Sequence, residues 1–353
     1  MTKTAYIFPG QGSQYMEMGL DLYGNYPSAK AVFDRADEIL GFSLKKICFE
    51  GPEEELALTI NAQPALLVTS LAALAAAREA APETLPEPAY MAGHSLGEYT
   101  ALAVSGALDF DTAVILARER GRLMYEAGLE KPGIMAAILG LSWEVVIEIC
   151  KKSGAFIANL NCPGQYVISG DKERVAEATQ LAEERGAKKV AQLQVSGAFH
   201  SPLMSSAAEG LKNRIQKLPL MGSMTRTLEA VRDGISFNFR SSLRSGAGYN
   251  QSHMESIKNV IIEASISTPE IPVIGNTTAR ELTTAEMVRD ELTEQVCHCV
   301  RWEDTIRYLI SQGVDSFIEF GPGDALTRML PRISEEVSYV NIDDCYAVEM
   351  LNN

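Results

Sequence analysis

Gly93-His94-Ser95-Leu96-Gly97-Glu98 carries the Gly-x-Ser-x-Gly spacing of a strand that turns sharply into a helix. It is entered from Pro88-Ala89-Tyr90-Met91 and left through Tyr99-Thr100-Ala101-Leu102-Ala103-Val104. Such a turn exposes its serine hydroxyl, and the two glycines leave room for a close helix–strand approach. The backbone N–H of Leu96 then faces any oxyanion formed at Ser95. A bland alternative exists, because Ser95 with Glu98 three residues later also reads as a helix capping box.

A serine nucleophile needs a base, and the chain offers His94, His200, His253 and His298. His94 adjoins the serine, so its side chain leaves in another direction. His253 lies in an atypical stretch, and His298 has no supporting context. His200 ends a strand-like run, with Ser201 able to cap the following helix and Pro202 in its first turn. There the positive end of the helix dipole would keep the imidazole neutral, as a base requires. Near the N-terminus, Pro9-Gly10-Gln11-Gly12-Ser13-Gln14 follows the first strand directly. Its glycines let backbone approach a ligand at the carboxyl end of a sheet, where open α/β folds place their sites. It has neither the Lys of a P-loop nor the dinucleotide fingerprint.

The elements that must position these groups can be read coarsely. Strand 4–8, helices over about 15–40 and 52–80, strand 88–94 and helices 96–105 and 109–127 form an α/β pattern with a mostly parallel sheet. From Gly133 the texture changes to strand 134–139, helix 142–152, strands 156–161 and 166–169, helix 172–185 and strand 188–195. That βαββαβ order predicts a ferredoxin-like small subdomain over 131–196, inserted into a large one made of 1–130 and 197–353. The chain closes on strand 317–320, the turn Gly321-Pro322-Gly323 and a helix over 325–333. The Gly/Ser-rich stretch 218–259 fits neither texture. Between 221 and 258 it holds five basic and three acidic residues, a local +2 within a chain of net charge −15.

That charge disfavours a nucleic-acid binder. No apolar run approaches the roughly 20 residues of a membrane span, and no signal peptide is visible, which argues for the cytoplasm. Six scattered cysteines imply no disulfide framework. Cys297-His298-Cys299 invites a metal reading, but an extended strand would set the thiols and the imidazole on opposite faces. Reduced thiols beside a surface histidine are the expectation, with no metal.

Taken together, Gly10-Gln11-Gly12-Ser13-Gln14, Gln63-Pro64-Ala65-Leu66, Gly93 to Glu98, Arg120-Gly121-Arg122-Leu123-Met124, Asn161-Cys162-Pro163-Gly164-Gln165, Gly197-Ala198-Phe199-His200-Ser201 and Gly321-Pro322-Gly323 resemble, in this order, the malonyl-CoA:acyl carrier protein transacylases. The resemblance covers nearly all of the chain except 218–259 and the last dozen residues. It implies an α/β-hydrolase-like large subdomain. It implies Ser95 as the acylated serine, His200 as base, and Leu96 N–H with Gln11 as oxyanion hole. Arg120 would hold the free carboxylate of the substrate, a task suited to a planar, always charged, bidentate guanidinium. Gln295, in Thr293-Glu294-Gln295-Val296, matches a family glutamine whose region supplies a backbone carbonyl to the imidazole. Gln63 and Asn161 would line the pocket or back its lining, and Phe199 would narrow it beside the malonyl α-carbon.

The implied activity is malonyl transfer from malonyl-CoA to the phosphopantetheine thiol of acyl carrier protein, with no cofactor because coenzyme A arrives as part of the substrate. The family default is a monomer. A serine hydrolase or thioesterase is the competing enzyme reading and predicts water as acceptor and an acidic residue behind the histidine. A non-catalytic binding module is a third. The family uses fewer residues between His200 and Gln295, so 218–259 reads as an insertion: a disordered surface loop, an ordered extra hairpin or helix, or a basic docking element for an acidic carrier protein.

Overall fold

The computed structural model describes residues 2–221 and 265–352. Most of the 218–259 stretch, His253 included, lies outside the described residues. Two sheets organise the rest. The larger has six strands in the order β10-β9-β2-β1-β11-β12, comprising β1 (Thr4–Phe8), β2 (Tyr90–Gly93), β9 (Val273–Ile274), β10 (Glu281–Leu282), β11 (Ser316–Phe320) and β12 (Ser338–Ile342). All its neighbours run parallel except the edge pair β9–β10. The architecture is therefore mixed α/β with a mostly parallel main sheet.

β1 explains why this sheet is central. Its five residues are all buried, Ala5 and Ile7 against one apolar cluster and Tyr6 and Phe8 against the other. A strand covered on both faces reads as a continuous apolar run, as Ala5-Tyr6-Ile7-Phe8 does. Helices Pro27–Leu40, Thr59–Ala80 and Phe110–Glu130 supply one cover, and Trp302–Ser311 supplies the other.

The second sheet contains β3 (Ile134–Leu139), β4 (Phe156–Cys162), β5 (Gln165–Gly170) and β6 (Lys189–Gln192) in the order β4-β5-β3-β6, all antiparallel. Helices Trp143–Ser153 and Lys172–Glu184 pack on it through Val146, Ile149, Val175 and Ala178. It meets the rest of the chain where the Leu160 N–H donates to Val300 O at 2.9 Å and the Val300 N–H donates to Ala158 O at 2.8 Å. A short parallel pair, β7 (Leu220–Met221) with β8 (Ile266–Ser267), flanks the gap in the described residues.

Three expectations change. The helical regions 15–40 and 52–80 are broken into Leu20–Asn25, Pro27–Leu40, Glu53–Ala57 and Thr59–Ala80, with Leu44–Glu50 between. Pro27 restarts a helix at its first position, and Gly41 ends it in a left-handed conformation. The C-terminal helix shrinks to a 3-10 turn Thr327–Met329 and Leu330–Ile333. Pro331 lacks the N–H that would continue the ladder, while the buried Glu319 carboxylate accepts the Leu326 and Thr327 N–H groups at 3.1 and 2.7 Å. Finally, Thr59–Ala80 is long and apolar enough by composition to cross a membrane, contrary to the expectation that no segment is. Yet 94% of its most apolar window is buried inside the fold, which makes it a core helix, apolar all round because neighbours cover every side. Pro64 sits inside it, and the Ile60 carbonyl it leaves free accepts from Arg118 Nη1 at 2.8 Å.

The glycines of the serine turn are fixed by contact. A methyl group on Gly97 would lie 2.0 Å from Phe8 O, and one on Gly93 would lie 1.9 Å from the Gly97 carbonyl carbon. Gly97→Ala must therefore push the helix off β1. We expect a loss of about 3 kcal/mol in denaturant unfolding; an unchanged midpoint would show that the packing is looser than described.

Candidate active site

The helix Gly97–Val104 starts directly after the turn, and Ser95 sits in the left-handed region at φ 52°. Strain of this kind in a non-glycine residue is held by its surroundings. The capping-box alternative does not form. The Ser95 N–H donates to Asn276 Oδ1 at 2.7 Å, and Glu98 Oε2 accepts the Asn276 N–H at 2.7 Å.

His200 is also left-handed, at φ 55°, with its N–H donating to Val296 O at 3.0 Å. The Ser201 hydroxyl caps the 3-10 turn Pro202–Met204 by accepting the Leu203 N–H. This geometry brings His200 Nε2 to 2.7 Å from Ser95 Oγ across 105 positions of sequence. On the far side of the ring, Nδ1 faces two backbone carbonyls, Gln295 O at 3.0 Å and His298 O at 3.1 Å. Both are acceptors, so Nδ1 carries the proton and Nε2 presents its lone pair to the serine hydroxyl. No carboxylate is needed to fix the tautomer.

Burial pushes the His200 imidazole down to about 3, and the nearby Arg120 cation adds to the effect. The neutrality expected from a helix dipole is thus carried mainly by desolvation and a neighbouring charge.

Arg120, on the helix Phe110–Glu130, is 1% exposed. Its Nη1 donates to Gln63 Oε1 at 2.8 Å, and Nη2 donates to Gln295 Oε1 at 2.8 Å and to Ser95 Oγ at 3.0 Å. The guanidinium lies over the Tyr99 ring, 5.4 Å from its centroid. Among the described residues no carboxylate forms an ion pair with it, and its Nε is buried without a partner. Gly121 allows this placement, since a methyl there would lie 2.6 Å from Thr59 O on the neighbouring helix.

The remaining candidates divide. Gln63 and Gln295 are fully buried and clamp the guanidinium from two sides; the Gln295 side chain also donates to Ser95 O at 2.9 Å. The Gln11 side chain turns to Thr59 Oγ1 at 3.1 Å, leaving its main-chain N–H, like that of Leu96, with no acceptor among the described residues. Gly10 packs against His94, which sets this loop beside the serine turn. Phe199 is buried in the main apolar cluster next to His200. Asn161 stands one step back: its Oδ1 pairs with His94 Nε2 at 2.9 Å, and the His94 ring leans on Trp302, so it holds the turn's flank and makes no hydrogen bond to Ser95, His200 or Arg120. His298 is exposed and enters only through its carbonyl, which sequence reasoning passed over. Asn276 was missed as well. Its signal was a Gly-Asn pair at the carboxyl end of a strand, Ile274-Gly275-Asn276. Cys297 and Cys299 are half-buried thiols, and the described residues contain no cluster of metal-ligating side chains.

The arrangement pairs a hydroxyl with a neutral imidazole beside a sealed cation, a layout for moving a carboxylate-bearing acyl group on and off the serine. Comparison with known proteins decides the family. The acyl transferase domain family matches residues 5–236. The malonyl CoA-acyl carrier protein transacylase of Bacillus subtilis is 39% identical, over 99% of this chain and 96% of its own. The chain belongs to the malonyl CoA-acyl carrier protein transacylase family. Solved structures of this transacylase family agree. One, a malonyl-transacylase in complex with a type II PKS acyl-carrier protein, superposes with a TM-score of 0.82 at 33% identity, covering all of both chains. Another, the transacylase from Coxiella burnetii, gives 0.82 at 32% identity over 99% of this chain and 96% of that one.

The His200 shift has a sign. Unfolded, the imidazole takes up its proton near pH ~6.5; folded, only near 3. Its contribution to stability is therefore complete above the unfolded value and is lost as pH falls toward the folded one. An NMR titration of the His200 ring should show it neutral at pH 5, and Arg120→Gln should move its midpoint upward. An ordinary histidine midpoint in the intact protein would contradict this electrostatic picture.

Proposed function

We propose that this chain transfers a malonyl group from malonyl-CoA to the phosphopantetheine thiol of an acyl carrier protein, through a malonyl ester on Ser95. The single observation that carries the chemistry is the buried Arg120 guanidinium, bound only by amide and hydroxyl oxygens, 3.0 Å from the serine oxygen. A cation so placed, with no ion pair among the described residues, is suited to a substrate carboxylate.

The scheme is ping-pong. The carboxylate of malonyl-CoA settles on Arg120, displacing its contact to Ser95 Oγ. The hydroxyl proton passes to His200 Nε2 as Oγ attacks the thioester carbon. The main-chain N–H groups of Leu96 and Gln11 take up the oxyanion; one such donor is typically worth about 3 kcal/mol. The tetrahedral centre collapses with C–S cleavage, and His200 returns its proton to the coenzyme A sulfur. The carrier-protein thiol then repeats the steps in reverse, giving its proton to Nε2 and leaving Ser95 free. Substrate binding also tunes the base. Because Arg120 lowers the proton affinity of His200, a carboxylate that neutralises the guanidinium raises it at the moment a proton must be accepted.

The hydrolase reading expects an acid behind the histidine, whereas two carbonyls occupy that position. The family assignment also favours transfer over hydrolysis. We further infer an α/β-hydrolase-like large subdomain, 1–130 and 197–353, with the β3–β6 sheet as a ferredoxin-like subdomain over 131–196; its βαββαβ order and antiparallel pairing support this. We infer a monomer, since one chain carries every group the scheme needs, and we place it in the cytoplasm, with coenzyme A entering only as part of the substrate.

Brief incubation with malonyl-CoA followed by rapid quench should leave a malonyl ester on the peptide containing Ser95, transferable to carrier protein rather than released as malonate. An unlabelled peptide, or release to water alone, would reject the scheme. Arg120→Ala should cut malonyl transfer by at least about a hundredfold and erase the preference over acetyl-CoA; unchanged selectivity would place the carboxylate partner elsewhere.

A further inference from the structure

Asn276 touches the serine turn on both of its sides. β2 leaves the sheet at Gly93, and the chain reverses through the strained Ser95 into the helix Gly97–Val104. Such a departure strands the last backbone groups of the strand, because the ladder that would pair them has ended. The register of β2 with β9 stops at Ala92 opposite Ile274. Two residues beyond, Asn276 continues it with its side chain. Oδ1 accepts the Ser95 N–H at 2.7 Å, and Nδ2 donates to Gly93 O at 2.7 Å.

The asparagine is itself held from several directions. It is 1% exposed. Its N–H donates to Glu98 Oε2 at 2.7 Å, and its carbonyl accepts the Arg301 N–H at 3.0 Å. Glu98 lies on the helix that the turn launches, so the turn and the asparagine fix each other in a closed loop. The Glu98 carboxyl is buried near Glu291, whose oxygens accept the Thr277 N–H and hydroxyl. Gln295 Nε2 lies 3.4 Å from the same Oδ1 while donating to Ser95 O. Side chains therefore meet both main-chain groups of Ser95, Asn276 just after β9 at the N–H and Gln295, in the 3-10 turn Gln295–Cys297, at the carbonyl, which also accepts the Glu98 N–H at 3.2 Å.

We propose that Asn276 is the positioning residue for the acylated serine. Its carboxamide supplies the one donor and one acceptor that keep the Ser95 backbone left-handed, so that Oγ faces His200 and the next N–H, Leu96, stays free for the thioester oxygen. Aspartate has the same shape but sets an oxygen against Gly93 O and removes the donor. This inference rests on Ser95 as nucleophile, and the test separates the two.

In Asn276→Asp, rapid-quench labelling should show Ser95 malonylation slowed about a hundredfold, the scale of a small misplacement at a reacting centre. Equilibrium binding of malonyl-CoA, measured in a Ser95→Ala background to prevent turnover, should change by less than about threefold on adding Asn276→Asp, because Arg120 is untouched. A folded variant that acylates at the intact rate would overturn the proposal. So would parallel losses of rate and binding, which would make Asn276 a pocket wall. Should the aspartate variant fail to fold, an ester in place of the His94–Ser95 peptide bond removes the Ser95 N–H and leaves the side chains intact, while weakening the His94 carbonyl that accepts the Gly97 N–H at 2.9 Å. Acylation there should slow by about tenfold, and an unchanged rate overturns the proposal. Ser95→Ala alone guards the premise: labelling that persists in it refutes the nucleophile, whereas an unlabelled Ser95→Ala beside a fast Asn276→Asp refutes only the positioning role.

Discussion

A guanidinium sealed in protein without an ion-pair partner is the constraint around which this site is built. Burying a charge is costly, and here the cost is offset by amide oxygens of Gln63 and Gln295, the Ser95 hydroxyl and the face of Tyr99. None of these neutralises the cation. The field that remains helps keep His200 deprotonated and leaves the site suited to an anion. The same charge thereby serves selection and base chemistry, through ordinary Coulomb effects in a low-dielectric pocket.

Holding that cation near the serine needs close backbone approaches on several sides. Gly121 lets its helix meet Thr59–Ala80, and Gly93 and Gly97 let the turn sit against β1. Ser95 and His200 both occupy left-handed conformations, so the two reacting atoms meet at a point where the chain is strained twice. The third position, often a carboxylate in serine enzymes, is filled by the Gln295 and His298 carbonyls. Carbonyls fix the tautomer without adding an anion that would compete for Arg120. Gln295 joins the parts: its carbonyl orients the base, its side-chain oxygen holds the guanidinium, and its side-chain nitrogen holds Ser95.

Much of this was legible in the residues. Gly93-x-Ser95-x-Gly97 marked the turn because its glycines answer to hard contacts, and the succession of strands and helices after Gly133 tracked β3 to β6 because β3, β4 and β5 are rich in buried apolar residues. Strand β1 was readable because it is buried on both sides. What escaped notice acts through backbone or through distance. A carbonyl such as His298 O carries no residue-type signature. Asn276 lies 181 positions from Ser95, after a strand of only two residues, so its one local mark, a Gly-Asn pair at a strand end, does not point to the serine. Asn161 acts from behind the site, since its partner is His94. The long N-terminal helices were overdrawn, because the first breaks between Asn25 and Pro27 and the second at Leu58.

The most direct test of the central claim is a crystal structure of the enzyme trapped as its Ser95 malonyl ester. The account predicts the free carboxylate paired with Arg120 through both terminal nitrogens, the ester carbonyl facing the Leu96 and Gln11 N–H groups, and His200 Nδ1 still on its two carbonyls. A malonyl carboxylate lying in solvent, with Arg120 still donating to the serine oxygen, would contradict it.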